Sequence, residues 1–200
     1  MEPEPSIIIS LIALCISALT AWLNWFRRGT IEMTHPALVF LGPDDRGYAK
    51  LFVRTLLHST SRRGQLVEHM FAKLRQGDKV QAFNAWFHNE GDRSDPGSGL
   101  FVGYEGFAAD HHFALLQDSL DFQFSACTYQ IEVYAKLLKR KNPILLWTHQ
   151  ITVDESEELV LLNGQGGLML NWDPGRKSYQ HDLKSRGPKG SWNEQLPIQV

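Results

Sequence analysis

From Ile7 to Phe26 the chain reads IIISLIALCISALTAWLNWF, an apolar run without a charged residue. About 20 such residues make a helix long enough to cross the hydrocarbon core of a bilayer. A core helix of a soluble domain would carry a polar face. A cleaved signal peptide would begin with basic residues and end in small ones. Here the preceding segment is MEPEPS, and the far end holds Trp22, Trp25 and Phe26. The pattern predicts an uncleaved transmembrane helix over 7–26 behind a short N-terminal segment, 1–6. Within the span, Ser10, Ala13, Ser17, Thr20, Ala21 and Asn24 recur at three- and four-residue steps. Ala13, Ser17 and Ala21 form a small-xxx-small series, and with Asn24 they define a face on which another helix can pack closely.

From Thr30 the pattern changes to short alternating runs separated by turn residues. IEMTHPALVFLG (31–42) predicts a first strand, at an edge or broken near Pro36, since proline has no amide for a ladder. KLFVRTLLHS (50–59), LVEHMFAKL (66–74) and KVQAFNAWFHN (79–89) follow, the last two joined through RQGD with Gly77 in the turn. NEGDRSDPGSG (89–99) reads as a long exposed loop, then GLFVGYEGFA (99–108), HHFALL (111–116) and DFQF (121–124) as further strands. In TYQIEVYAKLL (128–138), Tyr129, Ile131, Val133, Ala135 and Leu137 alternate with Gln130, Glu132, Tyr134 and Lys136, as in a half-buried antiparallel strand. KRKN (139–142) turns the chain into PILLWTHQITV (143–153), with Leu145, Trp147, Ile151 and Val153 on one face. DESEELVLL (154–162) predicts one or two helical turns capped by Asp154 or Ser156, and GGLMLNW (166–172) a last strand. From Asp173 periodicity gives way to Pro, Gly and charge, which predicts a mobile tail over 173–200.

About nine strands with no long amphipathic helix among them predict an all-β fold, an antiparallel β-sandwich. It would occupy residues 30–172 behind the transmembrane helix. TYQIEVYA (128–135) resembles the penultimate strand of immunoglobulin-like and fibronectin-III domains, in which a tyrosine opens the strand and bonds back to the chain. The resemblance implies an immunoglobulin-like sandwich with Tyr129 as the structural corner tyrosine and Ile131 as the core position two residues on. There is no cysteine pair within the domain, and Trp86 is the candidate for the tryptophan of the third strand. A resemblance over one strand implies a fold and carries no activity.

Charge sets the expected topology. Arg27 and Arg28 directly follow the span, whereas no Lys or Arg precedes it. The positive-inside rule then puts the domain on the cytoplasmic side of a single-pass inner (plasma) membrane, with Trp22 and Trp25 at the interface. Leaving out Glu2 and Glu4, the remaining 20 acidic residues balance 20 Lys and Arg, which argues against nucleic acid or another polyanion as partner. The two cysteines, Cys15 in the span and Cys127 in the domain, provide no disulfide framework, in keeping with a reducing compartment. Cys127 has no activating neighbour in sequence and reads as an inert core thiol.

Asp110, His111 and His112 form the densest titratable cluster and are the candidate metal ligands. Consecutive strand residues face opposite sides, so both imidazoles cannot easily bind one ion, and a site would need His88, His149 or another ligand brought in by the fold. His35, His58, His69 and His181 lack zinc-site spacing. The glycines of GLFVGYEG have no following helix or Lys-Ser/Thr pair and do not make a phosphate loop, and no nucleophile-elbow or H-E-x-x-H motif occurs. Arg27-Arg28, Arg62-Arg63 and Lys139-Arg140-Lys141 would face the anionic leaflet together if the fold brought them to one end. The expected function is a membrane-anchored, non-enzymatic protein-interaction domain without a cofactor. Its expected partners are the lipid bilayer, a protein and a second transmembrane helix. The alternatives are a membrane-anchored metal-dependent enzyme using Asp110 with His111 or His112, and an outward-facing receptor or envelope component.

Overall fold

A computed structural model describes residues 5–26, 29–90, 93–97, 99–164 and 166–185, with backbone alone at 25, 26, 89, 90 and 93–96. The apolar run forms α1 (Pro5–Ala21) and ends in a π-helical turn, Trp22–Phe26. Pro5–Asn24 is long and apolar enough to cross a membrane, with mean hydropathy 2.3 and no buried residue. Its polar side chains bond to their own helix: Ser10, Thr20 and Asn24 donate to the carbonyls of Ser6, Ile16 and Thr20. A helix so arranged could enter hydrocarbon with few polar atoms unsatisfied. Arg27 and Arg28, and the side chains of Trp25 and Phe26, lie outside the described residues.

The domain is the antiparallel sandwich that the alternating pattern predicts. Among the described residues one sheet has eight strands in the order β13-β12-β2-β3-β9-β6-β7, with β1 also beside β3. The strands of this first sheet are β1 (Ile31–Met33), β2 (Leu38–Pro43), β3 (Ala49–Ser59), β6 (Ala85–Glu90), β7 (Arg93–Pro96), β9 (Phe107–Ala114), β12 (Gly166–Asp173) and β13 (Ser178–Ser185). The second sheet runs β11-β10-β4-β5 with β8 also beside β4. It comprises β4 (Gln65–Gln76), β5 (Lys79–Phe83), β8 (Leu100–Val102), β10 (Cys127–Leu137) and β11 (Ile144–Val153). Helix α2 (Glu155–Leu162) connects the sheets, and Asp154 caps it through a capping box with Glu157.

Pro36 breaks the first strand as its chemistry requires. Both β1 and β2 pair with β3, on either side of a 34–37 gap. The run 79–89 is divided at Asn84, so that β5 stays with β4 while β6 crosses to the other sheet beside β9. One core results. Val39, Leu41, Leu51, Val53, Phe113, Leu168 and Leu170 of the first sheet pack against Val67, Met70, Ala72, Phe83, Ile131, Val133 and Leu137 of the second.

Several elements differ from the sequence expectation. The expectation of a mobile tail over 173–200 fails at Ser178–Ser185, a strand paired with β12 over eight positions, and residues 186–200 lie outside the described residues. The 89–99 loop contains β7, which closes a hairpin on β6. Strand β9 runs unbroken through Ala109-Asp110, the interruption lying instead at 103–106. DFQF is irregular, and Phe122 and Phe124 pack on the core from it. Leu145 leaves the face of Trp147, Ile151 and Val153. A register shift pairs Val133 with Trp147 but Tyr134 with Leu145, so Leu145 turns outward and is 49% exposed.

The Tyr129 ring is buried, and its hydroxyl accepts from the Ser125 amide at 2.8 Å and lies 3.0 Å from the Ser125 hydroxyl. This pins the irregular 121–126 segment to the start of β10. Tyr129→Phe keeps the ring and orphans the amide, so chemical denaturation should show a loss of about 1–2 kcal/mol.

Candidate functional site

The Asp110-His111-His112 triplet is separated by the strand that carries it. His111 points into the core and is fully buried, while Asp110 and His112 lie on the outer face of the first sheet. Arg54 takes Asp110 in a bidentate pair, with Nε at 2.6 Å and a terminal nitrogen at 2.8 Å. His111 Nδ1 lies 3.2 Å from the Trp86 indole nitrogen. An indole only donates, so Nδ1 is the acceptor and the proton of neutral His111 sits on Nε2. Burial, reinforced by His88 and His112 and opposed by Asp110, lowers the His111 pKa to about 3. The His112 pKa falls to about 4, through burial and Lys50, with Arg54 adding and Asp110 opposing. Among the described residues no three His, Cys, Asp or Glu side chains converge to hold a metal ion.

Two other places gather side chains. The first lies where the open edges of the two sheets meet, and consists of His35, Trp147, His149, Trp172 and Tyr179. His35 comes from the gap after β1 and stacks on Trp172 at 3.7 Å between centroids. Trp147 and His149 are alternate residues of β11 and stack at 5.8 Å. Trp172 and Tyr179 are register partners across the β12–β13 hairpin, their rings 5.1 Å apart. The Tyr179 hydroxyl donates to the Pro36 carbonyl at 2.8 Å and lies 3.1 Å from His35 Nδ1. With its own proton committed, the phenol accepts from His35 Nδ1–H. Burial raises the Tyr179 pKa, and burial plus the neighbouring His35 lowers that of His149. His181 Nδ1 meets Glu157 of α2 at 2.6 Å and ties β13 to the body.

Reading residues from 173 onward as a tail hid this cluster. The signal available was W-T-H in β11, which puts Trp147 and His149 on one face. A second was the DPGRK turn, which would have paired Trp172 with Tyr179.

The second place is a recess of about 620 Å³ at the root of the domain, lined by Arg63, Lys139, Arg140, Phe101 and Gly64 around Gly29. The expectation that the two basic turns share an end depended on the fold, and Arg63 and the 138–140 turn do line one recess. Gly29 is fixed there. The Gln65 side-chain Nε2 donates to the Gly29 carbonyl at 3.2 Å, and a Cβ on Gly29 would lie 2.7 Å from Ser61. Thr30 and Thr60 exchange hydrogen bonds alongside. Gly64 adopts φ +64°, and a Cβ there would lie 2.4 Å from the Phe101 ring. Of the expected helix-packing face, Ala13, Ser17 and Ala21 are on exposed α1, while Asn24 lies in the π turn with its amide directed to Thr20. A scan of protein-family models matches none to this chain, and a search of curated proteins finds no match to its sequence.

Proposed function

We propose that this chain is a single-pass inner-membrane protein whose cytoplasmic sandwich is a non-enzymatic module that takes an extended segment of a partner protein along the edge of β13. One observation carries the reading. Strand β13 pairs with β12 alone among the described residues, and Trp172 and Tyr179 stand at that edge beside His35 and His149. An added strand gains main-chain hydrogen bonds along the edge, and partly exposed aromatic rings supply the apolar contacts that dominate recognition. The side of the membrane rests on Arg27 and Arg28. A C-terminal tag protected in intact spheroplasts agrees with a cytoplasmic domain, and its immediate digestion would make the same edge that of an outward-facing receptor.

The test is photo-crosslinking in native membranes from Gln180 on β13 and from Lys79 on β5, an edge strand of the second sheet. A discrete protein adduct is expected from position 180 and not from 79. Trp172→Ala should lower it on the order of tenfold or more. Equal adducts from both edges, or adducts indifferent to Trp172→Ala, would sink the reading.

A further inference from the structure

The recess at the root of the domain sits beside the chain's exit from the span. Three Cα steps separate Phe26, the end of the π turn, from Gly29, so this part of the recess wall lies within about 11 Å of the helix end whatever the domain's tilt. Gly29 is buried and bonded to the 60–65 loop, so this loop travels with the tether rather than swinging on it.

Arg63, Lys139 and Arg140 contribute three cationic side chains to the lining, and no carboxylate is among the described residues that line it. Arg62 and Lys141 are exposed on the same two turns. Glu68 lies 3.9 Å from Lys136, whose ammonium also donates to the Arg140 carbonyl, and Glu105 folds back on Gly103. At the rim Phe101 is 61% exposed and Leu138 55% exposed. Cationic side chains around a hollow, flanked by protruding apolar groups, form a surface that fits the headgroup layer of an anionic bilayer.

We propose that this recess receives the phosphate of an anionic lipid headgroup from the membrane the span crosses, with Arg63, Lys139 and Arg140 around it and Phe101 and Leu138 entering the interface. The contact fixes the domain on its root, so that it keeps one orientation relative to the bilayer. The inference needs the span and does not depend on a partner at β13.

The experiment uses the full chain in nanodiscs of phosphatidylcholine alone or with phosphatidylserine, with a photoreactive residue replacing Leu138. Mass spectrometry of the irradiated protein reads the lipid adduct, and co-elution with the disc reports insertion of the span. A phosphatidylserine adduct is expected in mixed discs and little adduct in phosphatidylcholine. Neutralising the recess in an R63Q/K139Q/R140Q variant should lower the adduct on the order of tenfold or more, with near-UV circular dichroism unchanged. Equal adducts in both discs, an adduct that survives neutralisation, or none in either disc overturns the proposal. So does protection of the recess from hydrogen exchange by inorganic phosphate in phosphatidylcholine discs, which would make it a site for a soluble anion. A chain that fails to co-elute with the discs would remove the span, and the tether argument with it.

Discussion

Acidification from pH 8 to pH 5 is expected to remove about 4 kcal/mol of the domain's stability, through two histidines that the fold keeps neutral. In the unfolded chain a histidine titrates near 6.5, whereas folded His111 and His112 titrate at about 3 and about 4. Between these values the unfolded state binds protons that the folded state refuses, so stability falls as the pH falls. It is fully present above about pH 6.5 and is progressively lost towards pH 3. At pH 5 each residue contributes about 2 kcal/mol to the loss. For a domain of this size that lowers Tm by roughly 10 °C. His111→Gln retains an acceptor for the Trp86 indole but cannot titrate, so it should remove about half of the drop. Thermal melts at a series of pH values decide the matter, and a Tm level between pH 8 and pH 5 would refute the neutral, buried His111.

The second large effect belongs to Trp86. Its side chain is 3% exposed and its backbone pairs with Phe113. The rings of His69, His88 and His111 lie 6.0, 5.5 and 6.1 Å away. Gly97 packs directly on the indole: its amide donates to the Trp86 carbonyl at 2.9 Å, and a Cβ there would fall 2.1 Å from the ring. Trp86→Ala removes that volume from a core with nothing to refill it, and urea titration should show a loss of about 4 kcal/mol. Trp86→Phe keeps most of the apolar contact and leaves His111 Nδ1 without its donor, which predicts a smaller loss of about 1–2 kcal/mol. If Trp86→Phe costs as much as Trp86→Ala, the hydrogen bond rather than the packing dominates.

What proved legible was what obeys a period. The uninterrupted apolar run became a helix with no polar face. Alternation over 128–137 became β10, and its five inward residues are each at most 2% exposed. Pro36 and Asp154 acted through chemistry local to their own positions. The misses share a cause. Strand β13 is exposed along most of its length, so no buried face imposes alternation, and only its ladder with β12 makes it a strand. The outward turn of Leu145 comes from one extra residue opposite β10, which no property of the side chain announces. The crossing of 79–89 between sheets depends on which neighbour each half finds.

The same division runs through the sites. Composition and order alone determined an apolar helix long enough to cross a membrane, followed by two arginines and a strand-rich domain, because hydrophobic periodicity and the absence of charge are properties of consecutive residues. Consecutive positions in a strand also sufficed to part His111 from His112. Tertiary structure alone decided that the 60–65 and 138–142 turns meet around Gly29. It alone brought His35, Trp147, His149, Trp172 and Tyr179, drawn from four segments, to one seam. Such meetings are set by strand order and register, which long-range backbone pairing fixes between residues far apart in the chain.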